Sequence, residues 1–205
     1  MLSVPDSKDR VLIAADRLFM ERGYKAVTLR DIANVLGIKH ASLYYHAPGG
    51  KEQLFIEVTE RNLNAHRAGL TASMAAAGAD LRAELHAAAG WLLSQPPMDL
   101  LRMTLSDLHE IAPDQAQRLG KLVQESMLDP LSRVLGAAQT RGEIAPVDSG
   151  AVAGGLLAML EGLHAVPDIV FLYGESPWRG KSRLHMAHYL VDVLLKGLLP
   201  RNSEP

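Results

Sequence analysis

TLRDIANVLGIKHASLYYHAPGGK, residues 28–51, is the stretch from which the fold can be argued. Thr28 stands three residues before Asp31, so its hydroxyl can cap a helix while the carboxylate reaches back. Behind this cap, an apolar stripe at helical spacing predicts a first short helix, and Gly37 supplies the conformation that a sharp turn needs. A second short helix is predicted over 40–46. Two short helices joined by a glycine-containing turn predict a helix-turn-helix.

The second helix has a surface suited to nucleic acid. Ala41 and Ser42 are small enough to approach base edges, and the hydroxyls and imidazoles after them can contact phosphates or bases. From Arg22 to Lys51 the chain carries five cations and one carboxylate, although the whole protein has a formal net charge of −2. Such a local patch confines DNA contact to one face. A solvated helical surface is the alternative interpretation.

The segment from Val11 to Leu54 resembles the DNA-binding segment of the TetR (tetracycline-repressor-like) family of bacterial transcriptional regulators. The resemblance covers about a quarter of the chain and is specific, because fixed spacings join the matching residues: Leu18-Phe19, Gly23-Tyr24, Thr28-Leu29, Ile32-Ala33, Gly37-Ile38, Leu43-Tyr44-Tyr45-His46 and Lys51. The sequence departs from the family pattern at Lys39, where Ser or Thr usually opens the recognition helix, and at Ala47, where Phe is usual. Gly49-Gly50 adds one residue before the lysine.

The resemblance implies a two-domain protein and assigns roles to the residues of the helix-turn-helix. A three-helix DNA-binding head is expected over residues 1–52, and a helical ligand-binding and dimerisation bundle over 53–205. Thr28, Tyr44 and Lys51 are expected to contact phosphates. The other predicted DNA-binding residues lie on the recognition helix, with Lys39 at its start and a groove-facing set that comprises His40, Ala41, Ser42, Tyr45 and His46.

The composition agrees with an all-α fold. The sequence is 48% hydrophobic but only 5% aromatic, is rich in Leu and Ala, and lacks the alternating runs of Val, Thr and Tyr that indicate strands. The absence of cysteine excludes a disulfide framework and fits a reducing cytoplasm. No signal sequence and no apolar run long enough to span a bilayer are apparent. A soluble, cytoplasmic protein is therefore expected.

Capping residues and helix breakers place the remaining elements. Asp80, Asp99 and Asp148 can cap helices, and Pro113 suits a first helical turn. A bend is expected near Pro130. The helices are predicted over 7–23, 51–77, 81–94, 99–110, 113–141, 149–166 and 182–199, with a frayed tail over 1–6 and a loop over 174–180.

The last two of these helices are predicted to form a dimer interface. Small residues at four-residue spacing on the first helix allow backbones to approach closely, and the second has an apolar face. One short recognition helix reads too few bases for operator specificity, and in the TetR family these helices usually pair with those of a second subunit. An ordinary core within one chain is the alternative. The predicted interface residues are Gly154, Ala158, Gly162, Leu184, Val191 and Leu195.

Large, soft side chains from several helices of the bundle are candidates for lining an apolar ligand pocket, although at helical spacing such residues are more often core. The resemblance implies that a small effector binds there and alters the spacing of the two DNA-binding heads. Few cations are expected to project into this core, so a largely hydrophobic effector with one or two polar groups is predicted. The predicted pocket residues are Trp91, Met98, Met103, Leu108, Met127 and Phe171.

No cofactor, metal or catalytic residue is predicted. His185 and His188 share a helix face as two metal ligands can, but surface or interface positions are favoured because no carboxylate is seen to complete a site. No nucleophile elbow, phosphate-binding glycine loop or paired His-Glu motif is found. The sequence therefore predicts a homodimeric regulator that binds a pseudo-palindromic double-stranded DNA operator, acts as a repressor and is released by a small molecule. The alternatives are a ligand-independent or architectural DNA-binding protein, and an α-helical enzyme whose helix-turn-helix is only structural.

Overall fold

The computed structural model describes residues 7–173, 175 and 177–198, and every regular element in these ranges is a helix. The all-α prediction is therefore confirmed. The calls on Met1–Asp6, Gly174 and Leu199 lie outside the described residues. In chain order the helices are α1 (Ser7–Ala26), α2 (Leu29–Leu36), α3 (His40–His46), α4 (Gly50–Ala76), α5 (Leu81–Ser94), α6 (Leu100–Leu105), α7 (Pro113–Val123), α8 (Asp129–Thr140), α9 (Ser149–Gly162), α10 (Ile169–Leu172) and α11 (Arg183–Leu198).

Side-chain caps fix several helix starts where the sequence predicts them. The carboxylates of Asp80 and Asp148 accept hydrogen bonds from the N–H groups three residues later, at 2.8 and 3.0 Å. These bonds satisfy donors that a helix start leaves unpaired. Asp99 does the same for α6, but this helix ends at Leu105, and a 3-10 turn over Asp107–Glu110 completes the predicted segment.

The long helix predicted from Pro113 contains an irregular turn. Between α7 and α8 the chain forms one π-helical turn, Gln124–Leu128, immediately before the Asp129-Pro130 pair that opens α8. Proline has no N–H, and its ring clashes with the carbonyl four residues earlier, so a regular α-helix cannot pass through it unchanged. The wider turn is the form that the predicted bend takes.

The first of two compact units comprises the chain through Asn64 together with Met98–Val123. This division differs from the predicted one, because α4 beyond residue 52 and the 98–123 segment contribute side chains to the same core. The aromatic rings of Phe19, Tyr24 and Phe55 contact one another there. Other buried members include Val11, Leu18, Val27, Ile32, Leu43, Leu54, Val58, Ile111 and Leu119.

The second unit comprises Ala65–Pro97 and the chain from Gln124 onward. In it α5 packs against α11, and α8 packs against α9. Its largest fully buried side chains are Leu70, Leu85, Leu92, Met127, Leu131, Leu135 and Leu156. Among the described helices, none has both the length and the hydropathy that crossing a membrane requires.

Candidate nucleic-acid interface

A capping box starts the helix-turn-helix. The hydroxyl Oγ1 of Thr28 accepts a hydrogen bond from the N–H of Asp31 at 3.2 Å, and the Asp31 carboxylate accepts one from the N–H of Thr28 at 2.8 Å. The same hydroxyl donates to Asp31 Oδ2 at 2.6 Å. Hydrogen bonds from Thr28 hold the pKa of the Asp31 carboxyl below its usual range. The predicted cap is present, and the phosphate contact predicted for the exposed Thr28 stays a prediction.

Gly37 makes the turn between the two helices. Its φ of 66° lies in the left-handed region, where a side chain is strained. Its N–H donates to the carbonyls of Ala33 and Asn34, and the N–H of Ile38 donates to Ala33 at 3.1 Å. These bonds satisfy carbonyls at the end of α2, as a glycine-terminated helix end does.

The recognition helix α3 forms without a side-chain cap. Lys39 occupies the capping position in an extended conformation, and the backbone alone starts the helix, with the N–H of Ser42 donating to the Lys39 carbonyl at 2.9 Å. Leu43 anchors the helix, because its side chain is 0% exposed within the core of the first unit. The departure from the family pattern at Lys39 therefore removes one hydrogen bond but does not prevent the helix.

The outer face of α3 presents the predicted DNA-binding side chains to solvent. Tyr45 is 86% exposed, and the rings of His40 and Tyr44 meet edge to face, with centroids 5.3 Å apart. His46 is half-buried and contacts the Tyr45 ring. The remaining exposed members are Lys39, Ala41 and Ser42. The face combines a cation, small residues, hydroxyls and imidazoles, which are groups that contact phosphates and base edges.

Lys51 is occupied within the first unit. Its Nζ donates to the Tyr24 carbonyl at 3.1 Å and lies 4.0 Å from the centre of the Tyr24 ring. Burial holds the pKa of the Lys51 amine below its usual range. The helix that carries Lys51, α4, begins at Gly50, with φ of 72°, rather than at Lys51 or Glu52 as predicted. The phosphate contact of Lys51 stays a prediction.

The structure does not gather the six predicted pocket residues in one unit. Met98, Met103 and Leu108 belong to the first unit, and Trp91, Met127 and Phe171 to the second. The second unit has an open groove of about 610 Å³ to which Phe171 contributes. Its lining comes from the end of α5, from α10 and from the start of α11, and includes Leu93, Leu184, Lys181 and Arg183. No local pattern predicted α10, so this groove could not be anticipated from the sequence.

The predicted interface residues differ in exposure. Ala158 and Gly162 are exposed, Gly154 and Leu195 are half-buried, and Leu184 is 39% exposed. Val191 is 0% exposed, so its assignment to the interface was wrong. It lies on the face of α11 that packs into the chain's own second unit, a face that periodicity cannot distinguish from one covered by a partner.

The histidines of α11 each contact a neighbouring side chain. His185 Nδ1 lies 2.9 Å from Ser182 Oγ, and His188 stacks in parallel on His86, with ring centroids 4.1 Å apart. Asp192, one turn after His188, pairs instead with Arg82 and His86. Burial, and secondly the nearby His86, hold the pKa of His188 below its usual range. The described residues contain no group of three or more His, Asp or Glu side chains placed to hold a metal ion.

Sequence reasoning missed two residues that bind the backbone leading into the helix-turn-helix. Asp107 accepts a hydrogen bond from the N–H of Tyr24, 83 residues earlier, and Arg102 donates to carbonyls of α1 shortly before its break at Gly23. Asp107 is only 4% exposed, which is unusual for a carboxylate. No local pattern marks such residues, because their partners are distant in the chain.

Comparisons with known proteins agree with this geometry. Residues 11–58 match the sequence profile described as bacterial regulatory proteins, tetR family. The chain is 50% identical over 56 residues to the HTH-type transcriptional regulator LmrA of Bacillus subtilis, a match that covers 27% of this chain and 30% of LmrA. It is 42% identical over 57 residues to IcaR of Staphylococcus epidermidis, a negative transcriptional regulator of the biofilm operon icaADBC, covering 28% of this chain and 30% of IcaR.

The matched stretches cover about 30% of the length of each of these relatives. The likeness of fold extends further. A putative transcriptional regulator from Saccharomonospora viridis, solved in complex with choline, superimposes with a TM-score of 0.70 at 24% identity, covering 95% of this chain and 98% of that one. Together with the capped helix-turn-helix, the profile and sequence matches identify residues 11–58 as a DNA-binding segment of the tetR family of bacterial regulatory proteins.

Proposed function

We propose that this protein is a homodimeric transcriptional repressor that binds double-stranded operator DNA through α3 and leaves it when a small molecule binds. The observation that carries the proposal is the exposed face of α3, held on a capped and glycine-turned scaffold by the buried Leu43. The repressor role is supported by the negative regulator among its relatives. A short helix with small residues at its start fits the major groove.

Base reading and phosphate binding are assigned to different side chains in this proposal. Tyr45 and Ser42 face the bases, whereas Tyr44, Thr28 and Lys51 hold phosphates. Replacing a base-reading side chain lowers affinity at particular base pairs by about 1–3 kcal/mol, and replacing a phosphate-binding cation weakens all sequences and lowers the salt slope by about one.

The test begins with selection of duplexes from a random pool by the purified protein. Fluorescence anisotropy then compares the selected duplex with an unrelated one at several salt concentrations, for Tyr45→Ala, Ser42→Ala and Lys51→Ala. The first two are expected to lose discrimination between the duplexes and the third to retain it. Selection of no sequence contradicts the proposed function, and equal losses on both duplexes from all three variants contradict the division of roles.

A dimer held by α9 and α11 is proposed because both helices leave side chains without cover in the single chain. On α9, Ala158 and Gly162 are exposed, and a Cβ added to Gly162 would meet no atom within 4 Å. On α11, Leu184, Tyr189 and Val193 are large apolar side chains with 39%, 55% and 47% exposure. Exposed apolar surface of this kind often marks an interface between proteins, and two joined recognition helices read enough bases for an operator.

The effector site is proposed to lie in the second unit. Several buried polar atoms there have no hydrogen-bond partner, among them His66 Nδ1, Trp91 Nε1 and Ser126 Oγ. Leaving a buried polar atom unpaired is costly, so a ligand with complementary groups would be stabilised by pairing with them. These atoms support the predicted effector, a largely hydrophobic molecule with one or two polar groups, and Trp91 and Met127 stay its proposed contacts.

The groove beside α10 has cations at its edge, so it could bind an anionic effector, and the ligand screen should test this second site. Arg183 at its edge is paired with Asp168 at 2.5 Å, but Lys181 lies over the Trp178 ring and no carboxylate among the described residues pairs with it. A thermal-shift screen should therefore include uncharged apolar compounds and apolar carboxylates. Trp91→Ala should abolish release from DNA by a core-bound effector, and Lys181→Ala should abolish release by a groove-bound one. Hits that bind without changing operator affinity contradict effector control.

A further inference from the structure

The turn that leads from α1 into the helix-turn-helix depends on an unusual backbone conformation. Gly23 interrupts α1 with φ of 77° and ψ of 164°, values that side chains disfavour. Tyr24 follows, and its ring is buried against Phe19 and Phe55. Only three residues separate Tyr24 from the capping residue Thr28. The conformation of this turn therefore sets the position from which α2, and α3 after it, leave α1.

Side chains from distant segments bind the backbone on both sides of the turn. Asp107 Oδ1 accepts a hydrogen bond from the N–H of Tyr24 at 3.0 Å. The guanidinium of Arg102 donates to the carbonyl of Phe19 at 3.2 Å and to that of Met20 at 3.1 Å. These carbonyls lie at the end of the regular part of α1, where a helix has no backbone donors of its own. Arg102 therefore caps the part of α1 that precedes Gly23, and Asp107 fixes the first residue after the glycine.

Arg102 and Asp107, together called the clamp, are themselves held in place. Nε of Arg102 lies 3.5 Å from a carboxylate oxygen of Asp99 and 3.6 Å from one of Asp107. Asp99 adopts φ of 47°, uncommon for a residue with a side chain, and accepts a hydrogen bond from the N–H of Arg102 at 3.1 Å. Strained backbone of this kind persists where the surroundings hold it and is concentrated at functional sites. A Cβ on Gly23 would lie 3.4 Å from Asp107 Oδ1, so the glycine also admits the clamp.

The stability of the first unit does not require this polar arrangement. Its core is apolar and continuous, from Val11 on α1 through Leu43 on α3 to Leu54 on α4. Burying a carboxylate and a guanidinium is costly, and such pairs are weak contributors to net stability. A polar clamp directed at one turn instead specifies a conformation, here that of the segment that carries the recognition helix.

We propose that Arg102 and Asp107 are positioning residues for DNA binding: they hold the Gly23-Tyr24 turn in the conformation that seats α2 and α3 for the operator. The inference rests on the proposed DNA-binding function and adds to it that residues outside the helix-turn-helix control affinity. Without the clamp the turn samples other conformations, and the apparent dissociation constant rises in inverse proportion to the fraction that remains competent. Loss of one hydrogen bond to a charged group is sufficient for about a tenfold change.

The test compares folded variants on one duplex selected by the wild-type protein. Asp107→Ala and Arg102→Ala are expected to bind it about tenfold more weakly, and the double variant no more weakly than about the worse single one, because both act on one turn. Asp107→Asn should recover part of the affinity, since its amide oxygen can still accept the Tyr24 N–H. Arg102→Lys keeps the charge but not the paired donors, and serves where an alanine variant does not fold.

Glu110→Ala is the matched control. Glu110 lies on the same 3-10 turn as Asp107 and pairs with Lys25, next to Tyr24, at 3.1 Å, but the Lys25 side chain is 76% exposed and such a pair contributes little. This variant should bind the duplex as the wild type does. The amide hydrogen-exchange rate of the peptide containing Tyr24 reports local opening of the turn separately from global unfolding. This rate should increase in the Asp107 and Arg102 variants and not in the control.

The outcomes separate the two proposals. If the wild-type protein selects no DNA sequence, the proposed function fails and this inference fails with it. If the wild type binds its duplex and the folded clamp variants bind equally tightly, the proposed function stands and the positioning role is overturned. Unchanged exchange at Tyr24 in Asp107→Ala overturns it as well. Circular dichroism at the temperature of the binding assay ensures that affinity is compared between folded proteins.

Discussion

Acidification is predicted to destabilise the second unit specifically. Three of its histidines, His66, His164 and His188, have pKa values held below the usual range for the imidazole, chiefly by burial. His66 is the most enclosed, at 7% exposure, and its Nδ1 has no hydrogen-bond partner. Each of these residues stays neutral in the folded protein at a pH at which the unfolded chain already binds a proton.

The sign of the effect follows from the proton balance. A histidine whose pKa is lower in the folded state contributes stability above its unfolded pKa, near 6.5, and that stability is lost as the pH falls toward the folded pKa. Each extra proton bound by the unfolded chain changes the free energy of unfolding by about 1.4 kcal/mol per pH unit. Three histidines therefore set an upper limit of about 4 kcal/mol per pH unit below pH 6.5. Because His164 and His188 are only partly buried, the observed slope should be smaller.

Tryptophan fluorescence isolates the relevant unit, because both tryptophans, Trp91 and Trp178, belong to it. Urea unfolding at pH 7.5, 6.5 and 5.5 should give a free energy of unfolding that decreases with each step. His66→Gln should reduce the slope of the free energy of unfolding against pH by the contribution of one histidine. His40→Gln, which changes an exposed side chain of the first unit, should leave this slope unchanged. Stability that rises or stays constant from pH 7.5 to 5.5 would refute the reasoning, as would an unchanged slope in His66→Gln.

Three further predictions concern single contacts. Thr28→Ala removes one side of the capping box and should destabilise the first unit by about 1 kcal/mol, measured by thermal circular dichroism. Thr28→Ser keeps the hydroxyl and should recover the lost stability. An alanine variant as stable as the wild type contradicts the role of the cap. Gly69→Ala places a Cβ inside the Trp91 indole ring, so it should cost about 1–3 kcal/mol and shift the tryptophan emission, and an unchanged spectrum would exclude this packing. Ala158→Arg should convert the proposed dimer to a monomer in sedimentation velocity without unfolding it, whereas a dimer that persists places the interface elsewhere.

Much of the helix-turn-helix was predictable because its determinants act within a few residues. The bond between Thr28 and Asp31 spans one helical turn, and the left-handed turn at Gly37 needs no distant partner. The aspartate caps of α5 and α9 are local in the same way, and the predicted starts of these helices were correct. A pattern of this kind is also what makes a family recognisable from a quarter of the chain.

Other elements were missed although they are local. The four-residue helix α10 and the end of α6 at Leu105 have no cap or breaker strong enough to identify them. The π-helical turn before Pro130 was predicted only as a bend, because proline excludes the regular helix without specifying what replaces it. Competing local conformations of similar free energy are settled by packing.

By itself the sequence determined the helical class, the helix-turn-helix and the exposed chemistry of α3. Only the tertiary structure decided which side chains serve those elements from afar. It buried Val191 in the chain's own core, divided Met103 and Met127 between two units, and brought Asp107 to the backbone of Tyr24. The physical reason is one of range: caps and periodicity act across one or two turns, whereas the partner of a buried side chain is chosen by how distant segments pack, and no local pattern records that choice.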